Sequence, residues 1–146
     1  MNIRIMTAND YDAVYALWMS CIGMGLNTID DSKEGITKFL IRNPETCFVA
    51  ESGEKITGVI LTGNDGRRGY IYHLAVIPEY RKQGIGAQLL SAALQALKKI
   101  GIVKVALVVF GKNKSGNDFW EKMGFTSRDD LVYRNKALTD ICRIDT

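Results

Sequence analysis

The sequence has little of what most metal, nucleic-acid or membrane sites are made from. It holds one histidine, His73, and three cysteines, Cys21, Cys47 and Cys142, which are odd in number, far apart and without metal-ligand spacing. No metal is expected, and the thiols read as small buried hydrophobes of a reducing cytosol. An excess of one charge is missing too. Lys and Arg total 19 against 16 Asp and Glu, a formal +3. That excess is too small and too scattered for a nucleic-acid surface, and no basic run carries interleaved aromatics. No apolar run reaches membrane-spanning length, and the N-terminus lacks the apolar core of a signal peptide. A soluble, cytoplasmic protein without nucleic-acid or membrane partners is expected. Linkers, repeats and low-complexity tracts are also absent. What remains is 146 residues, 47% hydrophobic and 24% charged, which suits one domain spanning residues 1–146 with a sizeable core.

The most informative stretch runs from Tyr70 to Ala87. Tyr70 to Val76 is aromatic and aliphatic, the composition of a buried strand. Pro78 closes it, because proline cannot donate to a sheet ladder. Arg81-Lys82-Gln83-Gly84-Ile85-Gly86 follows, and an Ala- and Leu-rich helix opens near Ala87. Strand, glycine-bearing turn and helix start make an anion site in that order. The first amides of a helix lack internal partners, and the helix dipole adds partial positive charge. Gly84 and Gly86 keep Cβ atoms out of the way, while Arg81 and Lys82 bring formal charge. A phosphorylated ligand is expected here.

Two familiar phosphate motifs are excluded. No Gly, four residues, Gly-Lys-Ser/Thr run exists, so this is not a P-loop. The dinucleotide fingerprint fails because Leu89 stands where a small residue is needed, and Lys104 where an acid is needed. The stretch instead resembles motif A of the GNAT superfamily of acyl-CoA-dependent N-acyltransferases. That motif is Arg or Gln, two residues, Gly, one residue, then Gly or Ala, after a strand ending in Val-x-Pro. Here it reads Val76-Ile77-Pro78 and then Arg81 to Gly86.

The rest of the chain has the matching order. Met1–Met6 alternates Ile3 and Ile5 as a short strand, and Thr7 or Asn9 caps a helix with Tyr11, Val14, Leu17, Trp18 and Cys21 at helical spacing. Met24–Ile29 is a glycine-containing break in which Met24 and Leu26 read as exposed. Asp31 with Glu34 has the form of a capping box for a helix bearing Ile36, Phe39 and Leu40, which Pro44 ends. Thr46–Ala50 and Ile56–Leu61 are predicted strands joined at Ser52-Gly53-Glu54, with a longer turn at Gly63–Gly69. Leu89, Leu90, Ala93, Leu94, Leu97 and Ile100 line the helix that Gly101 terminates. Val103–Phe110 is predicted to be a strand buried on both faces and parallel to Tyr70–Val76. Asn113 or Ser115 caps a last helix with Phe119, Trp120 and Met123 inward, and Phe125 to Tyr133 is expected to form a final strand or hairpin.

The resemblance implies an α/β (α+β) GNAT acyltransferase fold: a mixed central sheet whose parallel central strands splay apart, flanked by helices. It implies an acetyl-CoA co-substrate, whose pantetheine arm lies against the backbone of Leu74, Ala75 and Val76. The pyrophosphate would rest on the turn of Arg81, Lys82, Gln83, Gly84, Ile85, Gly86 and Ala87, with Asn113 and Trp120 beside the arm. It implies direct attack of an amine acceptor on the acyl carbon, and a homodimer is one assembly the family admits. The segment from Asn117 to Phe125 is similar to the Tyr-Glu-x-x-Gly-Phe stretch of many members, but Trp120 replaces the tyrosine proposed there as general acid. Glutamates that serve other members as base are replaced by Val108 and Tyr70. A water-mediated base at Tyr70 and Tyr72 is therefore the expectation. His73 alternates with Tyr72 and is expected to face away from them as a packed, hydrogen-bonded core residue. Met24, Leu26, Asp30 and Asp31 fall where the family builds its acceptor wall, although helix capping explains the two carboxylates more simply. Two other classes stay open at this point: a catalytically silent acyl-CoA-binding module and a nucleotide-binding regulator.

Overall fold

Every residue from Ile56 to Gly63 is buried, and a run of that kind belongs to a strand covered on both faces. It is β4 (Lys55–Asn64) of the computed structural model, which describes Met1 to Thr146. The other strands of its sheet are β1 (Asn2–Ile5), β3 (Phe48–Ser52), β5 (Gly69–Val76) and β6 (Val105–Ala106), while β2 (Leu26–Asn27) and β7 (Arg143–Ile144) form a separate antiparallel pair. The five-stranded order is β1-β3-β4-β5-β6, antiparallel throughout except for the parallel pair β5 and β6.

Helices cover both faces. On one side lie α1 (Tyr11–Met19) and α2 (Lys33–Arg42), with Val14, Leu17, Trp18, Ile36 and Leu40 turned inward against Val49, Val59 and Ala75. On the other lies α3 (Ile85–Lys99). Its Ile85, Leu89, Ala93 and Leu97 repeat every four residues and bury one stripe, three of them against Ala50, Ile60 and Ile71. The short α4 (Lys114–Lys122) adds Phe119 and Trp120 to the edge of this second cluster.

Several predicted elements differ in detail. Val103–Phe110 is not buried on both faces. The parallel ladder is two residues long, and although Val105 and Leu107 meet the α3 cluster, Val103 is 84% exposed and Val108 and Phe110 more than half exposed. The α1 layer packs over β4 and β5. No strand or hairpin forms from Phe125 to Tyr133, and Leu131, Val132 and Tyr133 are exposed. Leu26 is buried rather than exposed, and Met24 packs against the α1 core, because β2 is held by β7. Cys142 is exposed, whereas Cys21 and Cys47 are buried. The cap of α2 is Ser32, whose Oγ accepts from the Gly35 N–H at 3.0 Å. Asp31, one residue earlier, is free to turn inward.

One ion-pair network ties the first strand to its surroundings. Arg4 donates from Nη1 and Nη2 to both oxygens of Asp10 at 2.9 and 2.8 Å, and from Nε to Glu51 Oε1 at 2.6 Å. The Arg4 side-chain hydrogen bond, with help from the Thr7 backbone, holds the Asp10 carboxyl below its ordinary range against the opposing effect of burial. A lowered folded pKa stabilises the fold above the unfolded carboxylate value of about 3.9, and that contribution disappears as pH falls through the folded value. Arg4→Met should therefore cost stability at pH 7 by no more than about 1.5–3 kcal/mol, reduced by screening at the partly exposed guanidinium. Melting curves of the variant and the wild type should converge in strong acid; a constant gap at all pH would show that the loss is packing rather than charge.

Candidate active site

Three local features bring the functional side chains together: the end of β5, the turn into α3, and a bulge in β5.

At the strand end, the Ile77 N–H donates to the Thr57 carbonyl at 2.9 Å. In an antiparallel ladder successive residues alternate in direction. The backbone of Ala75 therefore faces β4, and the N–H and C=O groups of Leu74 and Val76 face the opposite edge. That edge has no strand beside it. β6 pairs with β5 only at Gly69–Val105 and Tyr70–Ala106, so the two strands part beyond Tyr70 and leave a wedge. The Val76 carbonyl is already engaged, since Arg81 Nε donates to it at 3.1 Å while Arg81 Nη2 lies 3.5 Å from Cys21 Sγ.

The turn follows a single-turn 3-10 helix at Pro78–Tyr80. Lys82 (φ 63°) and Gly84 (φ 81°) both occupy the left-handed region, the conformation that glycine takes without cost and other residues resist. Gly84 caps α3, and its carbonyl accepts from the Gln88 N–H at 3.1 Å. Neither backbone nor side chain accepts from the N–H of any residue from Lys82 to Ala87. These are the orphaned donors of a helix start. A Cβ on Gly86 would stand 3.6 Å from the Phe119 ring and 4.0 Å from Val76 Cγ2, so Gly86 looks into the wedge between β5 and α4.

Across the wedge, Asn113 caps α4 by accepting from the Gly116 N–H at 2.9 Å. Trp120 is packed edge-on between Phe119 and Phe125, with ring centroids 5.0 and 5.1 Å away. Phe119 is the residue here that the sequence reading did not place against the turn. Its only signal is its i+6 spacing from the Asn113 cap.

The third feature changes the geometry most. Between Leu61–His73 and Thr62–Ile71 the register of β4 and β5 slips, leaving Tyr72 as the extra residue of a β-bulge. The bulge breaks alternation. Tyr70, Tyr72 and His73 all face the α1–α2 layer: Tyr70 and Tyr72 have centroids 4.7 Å apart, Tyr72 meets Phe39 of α2 edge-on at 5.5 Å, and His73 meets Trp18 of α1 at 5.0 Å. The expectation that His73 points away from the tyrosines is thus overturned, although it is packed and hydrogen-bonded as expected. Its partner is Asp31, whose Oδ1 lies 2.8 Å from Nε2. Asp31 is fixed in turn, accepting from the Asn27 N–H at Oδ2 and from the Tyr11 hydroxyl at its carbonyl.

Burial, then the Tyr133 and Tyr72 phenols, raises the Tyr70 pKa; burial, then Asp30, Tyr133 and Asp65, raises that of Tyr72. Both hydroxyls stay neutral near pH 7 and can pass protons only as neutral donors and acceptors. Tyr133, in the segment after α4, acts on both tyrosines electrostatically, and nothing in its local sequence signals this. No group of three or more His, Cys, Asp or Glu side chains comes together that could hold a metal ion, and no helix is long and apolar enough to cross a membrane.

Comparison with known proteins shows the family and the same overall fold. The model of the acetyltransferase (GNAT) family matches residues 11–125. Acetyltransferase SG1711 of Sodalis glossinidius is 32% identical over 140 residues, covering 96% of this chain and 97% of its own. Among solved structures, the PaiA N-acetyltransferase of Thermoplasma acidophilum in complex with coenzyme A superposes with a TM-score of 0.76 at 22% identity, over 89% of this chain and 92% of that one. The aminoglycoside acetyltransferase AAC(6')-Iy in complex with a CoA bisubstrate analogue superposes with a TM-score of 0.73 at 16% identity, over 93% and 97%.

Proposed function

The chain belongs to the GNAT acetyltransferase family and is an N-acetyltransferase; from that premise we propose that it moves an acetyl group from acetyl-CoA to a primary amine by direct attack in a ternary complex. The observation that carries the choice of co-substrate is the set of unpaired amides from Lys82 to Ala87, placed at the mouth of a wedge beside an unpaired strand edge. Such donors suit a pyrophosphate. Leu74, through its N–H and C=O, and Val76, through its N–H, offer backbone groups on which the two amides of a pantetheine arm would pair as an added strand does. Gly86 leaves the wedge open, and Asn113 and Trp120 would flank the arm. Bound there, acetyl-CoA supplies the activated acyl group. The chain's own residues hold it in line with the acceptor, offer a backbone N–H at the end of β5 to the acyl oxygen, and exclude bulk water. Tyr70 and Tyr72 hold the water through which the ammonium loses its proton.

Trp120 cannot serve as acid, because an indole N–H donates a hydrogen bond without releasing its proton. One neutral hydrogen bond to the departing thiolate contributes about 0.5–1.5 kcal/mol, or about two- to tenfold in rate. Trp120→Phe should thus leave kcat within about tenfold of wild type at saturating acetyl-CoA, and a much larger loss with binding intact would give the indole another role.

The test of the function is thiol release from acetyl-CoA across a panel of small amines, amino acids and peptides, with mass spectrometry of the products. An N-acetylated product formed only with enzyme supports it. Tight acetyl-CoA binding with no product on any amine would make the chain a silent acyl-CoA-binding module.

A further inference from the structure

We propose that His73, held by Asp31, is the proton acceptor for the acetylated amine, the terminus of the water path at Tyr70 and Tyr72. The inference rests on the acetyl-transfer reading above and assigns the base within it.

Four observations carry it. The bulge at Tyr72 puts His73 on the α1–α2 face that also carries Tyr70 and Tyr72. The His73 side chain is 10% exposed and that of Asp31 5%, so the pair is shielded from bulk solvent. Asp31 Oδ1 accepts from Nε2–H at 2.8 Å, which fixes the tautomer and leaves Nδ1 with its lone pair. That nitrogen is buried and has no partner in the protein. A histidine serving only as a cross-link between β5 and the loop before α2 needs one bonded nitrogen; an unpaired buried acceptor is costly unless it is used.

The proton balance is simple. The ammonium gives one proton through water to Nδ1, and the imidazolium formed is compensated by the Asp31 carboxylate. The neutral amine forms the C–N bond as the C–S bond breaks, and the sulfur leaves with the electron pair. The second amine proton follows the first, one returning to the thiolate and one to solvent. The titratable groups about the ring are Asp31 itself, Tyr11 of α1, which donates to the Asp31 carbonyl, and Tyr72 of β5. No lysine or arginine is bonded to it.

The experiment compares an alkylamine that the wild type acetylates with the same amine fluorinated beside its amino-bearing carbon, which is largely neutral at pH 7. His73→Gln should lower kcat/KM at least about a hundredfold for the alkylamine and stay within about tenfold for the fluorinated one. The KM for acetyl-CoA should be unchanged. Asp31→Asn should show the same split at smaller size. Equal losses on both amines, or none, would make the pair a structural cross-link and overturn the proposal alone. Absence of transfer to any amine by the wild type would overturn the transferase reading and this proposal together. If the His73 variant does not fold, the wild-type pH profile decides. With an enzymic base, kcat/KM for the alkylamine levels off well below the amine's own pKa of about 10.4. A unit-slope rise all the way to that value would mean that the enzyme waits for the neutral amine and has no such base.

Discussion

Gly86→Val is expected to weaken CoA binding by at least about tenfold, a free-energy change of about 1.4 kcal/mol or more, with little change in melting temperature. The position is in the first turn of α3, where valine is a better helix residue than glycine, and a Cβ meets its neighbours at ordinary contact distances, 3.6 Å from Phe119 and 4.0 Å from Val76. The fold therefore tolerates the substitution. The two methyl groups, however, stand in the wedge and over the first helical amides, where a phosphate must approach closely. Gly84→Val is the useful contrast. Nothing lies within 4 Å of its Cβ, but φ is +81°, so it should lose stability through backbone strain of about 1–2 kcal/mol. Calorimetric titration with CoA alongside thermal melting separates the two effects. Unchanged affinity in the Gly86 variant would mean that the turn is not the phosphate site.

Trp18→Ala should be the most destabilising single change, at about 3–5 kcal/mol. For a chain of this length that lowers the melting temperature by roughly 6–20 °C, at about 2–4 °C per kcal/mol. The ring is fully buried at the centre of the α1 face, among Val14, Leu17 and the β4–β5 surface, so both transfer and cavity costs apply in full. Trp18→Phe should cost much less. It keeps most of the packing and removes an indole N–H that is buried without an acceptor in the protein, whose desolvation is itself unfavourable by about 1–3 kcal/mol. Both variants should keep their CoA affinity below their melting temperatures, because Trp18 lies on the opposite face of β5 from α3. A Trp18→Phe loss as large as that of the alanine variant would show that the indole N–H is satisfied by a group not seen here.

The features written in local sequence were the ones that could be read. The turn at Lys82–Gly86 is set by glycine spacing, a proline and a helix start, all within ten residues, and its backbone has the expected form. The stripes of α1 and α3 follow from periodicity, except that Ile100, expected at the end of the α3 stripe, is the helix C-cap and exposed. What depended on strand pairing was not legible. Tyr70 to Val76 contains no glycine or proline to mark a bulge, so parity placed His73 on the wrong face, and one skipped residue reversed it. Asp31 was hidden by its neighbour: a carboxylate and a serine side by side are both good helix caps, and only tertiary structure turned Ser32 to the helix and Asp31 to the histidine. The apolar run at Val103–Phe110 signals burial, yet hydrophobicity names no partner, and divergence from β5 leaves half of it exposed. Tyr133 acts electrostatically on Tyr70 from more than sixty residues away, an influence that no local pattern encodes.

The site as a whole is tested most directly by amide chemical-shift mapping on addition of CoA to the protein. Shifts concentrated at Lys82 to Ala87 and at Leu74 and Val76 are expected, since these are the unpaired amides of the turn and of the open strand edge. Shifts gathered elsewhere, for example in the open hollow on α2 lined by Lys33, Thr37, Lys38 and Ile41, with the turn and the strand edge unmoved, would contradict it.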